Sequence, residues 1–104
     1  MPNLLSKIPQ FIPDEIFEDI VSTQNIRIER IISHGQSTVE GEWYDQDDNE
    51  WVLVLSGYGI IEFDDGRKVR LNHGDYININ AHERHRVIET APDEITVWLV
   101  VFYR

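Results

Sequence analysis

From Ile26 onward the apolar and β-branched positions fall into short runs separated by turn residues. The runs are Ile26–His34, Thr38–Tyr44, Trp51–Ser56, Tyr58–Phe63, Arg67–Asn72, Tyr76–Ile79, His85–Thr90 and Glu94–Tyr103. They are rich in Val, Ile, Thr, Trp, Tyr and Phe, side chains that suit a pleated, half-buried surface. Asp65-Gly66 between two runs signals a tight hairpin, because glycine takes a positive φ without steric cost. Ser56-Gly57, Gly74-Asp75 and Pro92-Asp93 punctuate the chain in the same way. Runs at this spacing predict an all-β fold, a sandwich or a closed barrel. No repeat, linker or low-complexity stretch divides the chain. The reading is one domain over 1–104, with an N-terminal arm over 1–25 and a β-barrel over 26–104.

Two runs depart from simple alternation. Trp51-Val52-Leu53-Val54-Leu55 and Val97-Trp98-Leu99-Val100-Val101-Phe102 are apolar on both faces. A strand with one wet face alternates, so the second face of each needs a cover. The N-terminal segment is one candidate cover and a second subunit is another, and a homodimer is expected. Asp14–Ser22 has two readings. Ile16, Phe17, Ile20 and Val21 fit one helical face, whereas Phe17, Asp19 and Val21 fit a strand running into a Thr23-Gln24-Asn25 turn. The strand is the reading adopted.

Composition narrows the function. Apolar residues make up 41% and charged residues 27%, ordinary for a globular protein. The formal net charge is −10, which repels phosphate backbones and anionic lipid, so neither nucleic acid nor a membrane surface is an expected partner. The absence of cysteine removes disulfides, thiolate metal sites and cysteine nucleophiles, and fits a cytoplasmic location. Residues 1–19 carry three prolines and several charges and do not read as a signal peptide. No apolar run is long enough for a membrane-spanning helix.

The chemistry concentrates in two stretches. Glu50 heads an apolar strand and is followed, after six intervening residues, by Gly57. Gly74, Asn80, Ala81, His82 and His85 follow one another with regular spacing. A carboxylate and an imidazole at the mouths of strands make a plausible metal site. These spacings resemble the two motifs of the small single-domain cupins, G-x5-H-x-H-x3or4-E-x6-G and G-x5-P-x-G-x2-H-x3-N, over roughly Thr38 to Glu89. The resemblance implies a cupin-type double-stranded β-helix, a jelly-roll barrel of two antiparallel sheets with a cavity at one end. The departures are specific. The two histidine slots of the first motif fall on Tyr44 and Gln46 in one register, or on Trp43 and Asp45 in the other. Thr38 holds the opening glycine slot. In the second motif Asn80 replaces proline, His82 replaces glycine and Glu89 replaces asparagine.

By position, the resemblance implies Glu50 and His85 as metal ligands, with Gln46 in a histidine slot and His82 as an additional imidazole. Such nitrogen and oxygen donors suit Zn, Fe, Ni or Mn without choosing among them. The alternative is that His85 lines the barrel and hydrogen-bonds Glu50, with His82 a solvated loop residue. Glu50 and Tyr44 are the expected proton-transfer residues, and Tyr44, Asp45 and Arg84 the expected substrate contacts. The acidic run Glu40–Glu50 is not a calcium loop, because Glu50 and Ser56 stand where glycine and glutamate are required. His34 and His73 read as turn residues. Arg86 alternates away from the cavity. The expected function is a metal-dependent enzyme acting on a small molecule, of dioxygenase, isomerase or lyase type. The alternative is a non-enzymatic module binding a sugar, carboxylate or other metabolite. A sensor domain acting through a partner is the third reading.

Overall fold

A computed structural model describes residues 1–104. It contains eight strands: β1 (Ile16–Ser22), β2 (Ile26–Ser33), β3 (Asn49–Ser56), β4 (Tyr58–Phe63), β5 (Lys68–Asn72), β6 (Tyr76–Ile79), β7 (His85–Thr90) and β8 (Thr96–Tyr103). They form a five-stranded sheet in the order β1-β2-β8-β3-β6 and a three-stranded sheet in the order β5-β4-β7. All pairings are antiparallel. The fold is the expected jelly-roll barrel of two antiparallel sheets. Asp14–Ser22 resolves to a strand, and β1 extends the larger sheet beyond the boundary expected at 25/26. Its outer edge is free, which explains why Phe17, Ile20 and Val21 stay exposed and why their pattern is ambiguous.

One predicted strand does not form. Thr38–Tyr44 meets the edge of β7 only at its two ends. The Thr38 amide donates to Val87 O at 2.8 Å, and Tyr44 bridges His85. Between them the chain turns away, with the Glu42 amide donating to Val39 O at 3.0 Å and Gly41 at φ 87°. The turn breaks the ladder although the side chains favour one. The bridge nevertheless matters, because it pins Tyr44 beside His85.

The core lies between the sheets. Val52, Val54, Trp98, Val100 and Phe102 come from the larger sheet, and Ile61, Phe63 and Leu71 from the smaller. The opposite face of β3 and β8 carries Trp51, Leu53, Leu99, Val101 and Tyr103, which are only half-buried. The N-terminal residues cover part of this face: the Arg30 guanidinium donates to Leu4 O at 3.0 Å and Ser6 O at 2.7 Å. Trp98 closes the core under β4. A Cβ at Gly59 would lie 2.1 Å from Trp98 Cη2 and 2.3 Å from Cζ2, so only glycine fits. Gly59→Ala is expected to destabilise the barrel by about 1–3 kcal/mol through overpacking. Urea unfolding followed by tryptophan fluorescence measures this, and an unchanged midpoint would contradict the packing.

Candidate functional site

The barrel encloses a cavity of about 220 Å³ lined by residues of both sheets and of the Thr38–Gln46 segment. Its polar centre is built by three elements. Glu50 is the second residue of β3, on the inward side shared with Val52 and Val54. His85 opens β7. Tyr44 and Gln46 come from the loop, two residues apart, both on the cavity wall. Two backbone bonds hold the loop there, Tyr44 N to His85 O at 2.8 Å and His85 N to Tyr44 O at 3.2 Å.

His85 and Glu50 face each other with Nε2 and Oε2 3.2 Å apart. Both are buried, at 5% and 9% exposure. Gln46 Nε2 donates to the same Glu50 oxygen at 2.9 Å. The other ring nitrogen of His85, Nδ1, lies 2.9 Å from the Glu83 carbonyl oxygen. A carbonyl only accepts, so Nδ1 carries a proton. Nε2 then confronts a carboxylate oxygen. In a neutral ring two bare acceptors would oppose each other, so a proton belongs between Nε2 and Oε2. The protonation balance agrees. Burial pulls the His85 pKa down, but the Glu50 hydrogen bond, the Glu83 carbonyl and the Glu50 charge together leave it raised above its ordinary value. Tyr44 packs against the imidazole with ring centroids 5.6 Å apart. Burial and the charges of Glu15 and Glu50 push its phenol pKa up, so it stays protonated and able to donate.

Of the residues named from sequence, the structure brings together Tyr44, Gln46, Glu50 and His85. The Tyr44/Gln46 register of the first motif is therefore the one that faces inward. Trp43 lies outside, stacked under the Arg86 guanidinium at 4.3 Å. His82 does not converge with His85. Its ring is exposed, with Nδ1 2.8 Å from Asp45 Oδ1 and Nε2 3.2 Å from Asp47 Oδ1. Its backbone explains this: at φ 62° it holds the left-handed turn that the motif gives to glycine, which swings the side chain outward. Asp45 is drawn to His82 and leaves the cavity. Arg84 also points outward, 3.8 Å from Asp64. The structure contains no group of three or more His, Asp or Glu side chains placed to hold a metal.

Three charged cavity residues carry no motif signal: Glu15, just ahead of β1, and Arg27 and Glu29 on β2. Glu29 is 9% exposed. Burial raises its pKa, Arg27 opposes this, and a hydrogen bond shared with its cross-strand partner Asp19 adds to the rise. The only hint in the sequence is alternation, since Arg27, Glu29 and Ile31 share one face of β2.

Comparison with known proteins places these features. A family model described as "Cupin domain" matches residues 31–102. A solved structure from Ralstonia eutropha, provisionally named a mannose-6-phosphate isomerase, is 41% identical, with a TM-score of 0.95 over 99% of this chain and 96% of that one. A cupin superfamily protein from Desulfitobacterium hafniense is 19% identical, with a TM-score of 0.81 over 99% and 90%. The FeII form of HppE is 13% identical, with a TM-score of 0.73 over 86% of this chain and 50% of that one. The last two share the fold. No curated protein matches the chain.

The raised His85 pKa has a signed consequence. A group whose folded pKa lies above its unfolded value of about 6.5 contributes stability that is fully present below that pH. The contribution is lost as pH rises through the folded pKa. The stability difference between the wild type and His85→Gln is therefore expected to be larger near about pH 5.5 than near about pH 8.5. Urea midpoints at the two values test this, and a difference that grows with pH would refute the assignment.

Proposed function

The chain belongs to the cupin family, and on that premise we propose that it is a small-molecule enzyme that works by proton transfer in the barrel cavity. The Glu50–His85 pair is its acid–base centre. The observation that carries this reading is the 3.2 Å contact between Glu50 Oε2 and His85 Nε2 in a buried site, with Nδ1 committed to a carbonyl. A carboxylate and an imidazolium so placed can divide the two halves of one proton transfer. Glu50 removes a proton from a carbon beside a carbonyl, and His85 or Tyr44 gives one to the carbonyl oxygen. Reversal at the neighbouring carbon completes an isomerisation. The relative provisionally named a mannose-6-phosphate isomerase supports an isomerase acting on a polyhydroxy carbonyl compound.

The first expectation from the sequence is a metal-dependent enzyme. Glu50 and His85 are two good donors, and their separation suits neighbouring ligands on one ion with bonds of about 2.1 Å. The third position is filled by the Gln46 amide, a weak donor, and His82 is turned away. This set falls short of the three strong protein ligands usual at a catalytic metal, so no step is routed through one. A non-enzymatic binding module is the second reading. It is favoured by Glu50 Oε2 being satisfied within the chain by both Gln46 and His85.

Incubation with aldose phosphates in D2O, followed by NMR, separates these readings. The wild type is expected to wash deuterium into the position beside the carbonyl. Glu50→Gln is expected to slow this by about 100-fold or more. A wild type that exchanges nothing would favour the binding module. Metal content of the untagged protein is a second check. Near-stoichiometric Zn, Fe, Ni or Mn that disappears in both Glu50→Ala and His85→Ala would overturn the two-residue centre.

The half-buried apolar face of β3 and β8 supports a homodimer. Trp51 packs against the exposed Tyr76 at a centroid distance of 5.5 Å, giving an aromatic patch of the kind that anchors interfaces. Sedimentation at micromolar concentration is expected to give twice the 12.2 kDa of one chain, and a clean monomer would refute it.

A further inference from the structure

We infer that Arg27 is the anchor for an oxyanion on the cavity's ligand, a carboxylate or a phosphate, whose uncharged end reaches Glu50 and His85. The inference rests on the reading of this cavity as a ligand site, and adds the chemical class of the ligand. Arg27 Nε is the one buried side-chain polar atom without a hydrogen-bond partner. Arg30, Arg67, Arg70, Arg86 and Arg104 each donate hydrogen bonds within the chain. A buried donor left unmade is costly, and a guanidinium offers a planar fork matched to oxyanions. The nearest carboxylate, Glu29, pairs with Nε by charge at 3.4 Å but without the alignment of a hydrogen bond. Phe102 lies flat beneath, with Arg27 Cζ 4.1 Å from the ring centroid, fixing the plane of the guanidinium. The side chain is 42% exposed, so its outer nitrogens remain open to an incoming group.

The sheet register sets the length of the ligand. Arg27 pairs with Phe102, and Phe102 pairs with Glu50. The three form one row across β2, β8 and β3, with Arg27 and Glu50 two strand spacings apart, about 10 Å between backbones. With both side chains reaching inward, the gap suits a chain of a few carbons. The acidic neighbours sharpen the choice. Glu15, Glu29 and Glu50 line the same cavity and repel a second negative charge. The favoured ligand is therefore an anion at one end and neutral at the other.

NMR titration of the 15N-labelled protein with glycerol 3-phosphate, glycerate and glycerol tests this without requiring turnover. Both anions, or one of them, are expected to shift the amides around Arg27 and Phe102, and the stronger of the two identifies phosphate or carboxylate as the recognised group. Glycerol is expected to shift them at least tenfold more weakly. Arg27→Gln is expected to abolish the anion response and Arg27→Lys to retain part of it. Equal responses to glycerol and the anions, no response to any of the three at tens of millimolar, or an anion response unchanged in a folded Arg27→Gln would each overturn the assignment. An anion response in a wild type that washes in no deuterium separates a failure of the proton-transfer reading from a failure of this one.

Discussion

The contact between Glu50 and His85 spans the two sheets. Glu50 belongs to the five-stranded sheet and His85 to the three-stranded one, and each lies at the start of its strand, at the same end of the barrel. Neither charge can be buried alone without a large desolvation penalty. The pair is tolerable because each charge answers the other and is held from outside, the carboxylate by Gln46 and Nδ1 by the Glu83 carbonyl. The loop carrying Tyr44 and Gln46 must therefore lie where it does. Its two-way backbone bridge to His85 connects loop position to the protonation of the imidazole.

Most of the fold is legible in the sequence because β-branched and aromatic runs broken by glycine turns admit few arrangements. The errors have local causes. Thr38, Val39, Trp43 and Tyr44 have strand-forming side chains, yet the turn at Gly41 leaves only an end-to-end contact with β7. At β1 the exposed edge removes the burial that would distinguish period two from period 3.6, so the pattern there supports two readings.

The candidate site was legible where parity sufficed and hidden where it did not. Tyr44, Gln46 and Glu50 share an orientation that simple alternation predicts. His82 was misplaced because a positive φ reverses the direction of a side chain, and nothing in its identity announces that; only its slot, one the family gives to glycine, carried the hint. Arg27 and Glu29 were missed for a different reason. They belong to no motif, and their importance follows from the pairing of β2 with β8, a long-range register that no local window contains.

The contact of Gly59 with Trp98 links two positions that the chain places 39 residues apart. The indole occupies the space that any side chain at 59 would need. Its Nε1 donates to Ser33 Oγ at 3.3 Å, which in turn donates to the Glu15 carboxylate at 2.5 Å. Exchange at one end of this series is therefore conditional on the others. Among homologous chains, a residue larger than glycine at 59 would have to arrive together with a smaller one at 98, and the loss of the indole would leave the hydroxyl at 33 without its donor. The four positions form one packed and hydrogen-bonded series that crosses both sheets.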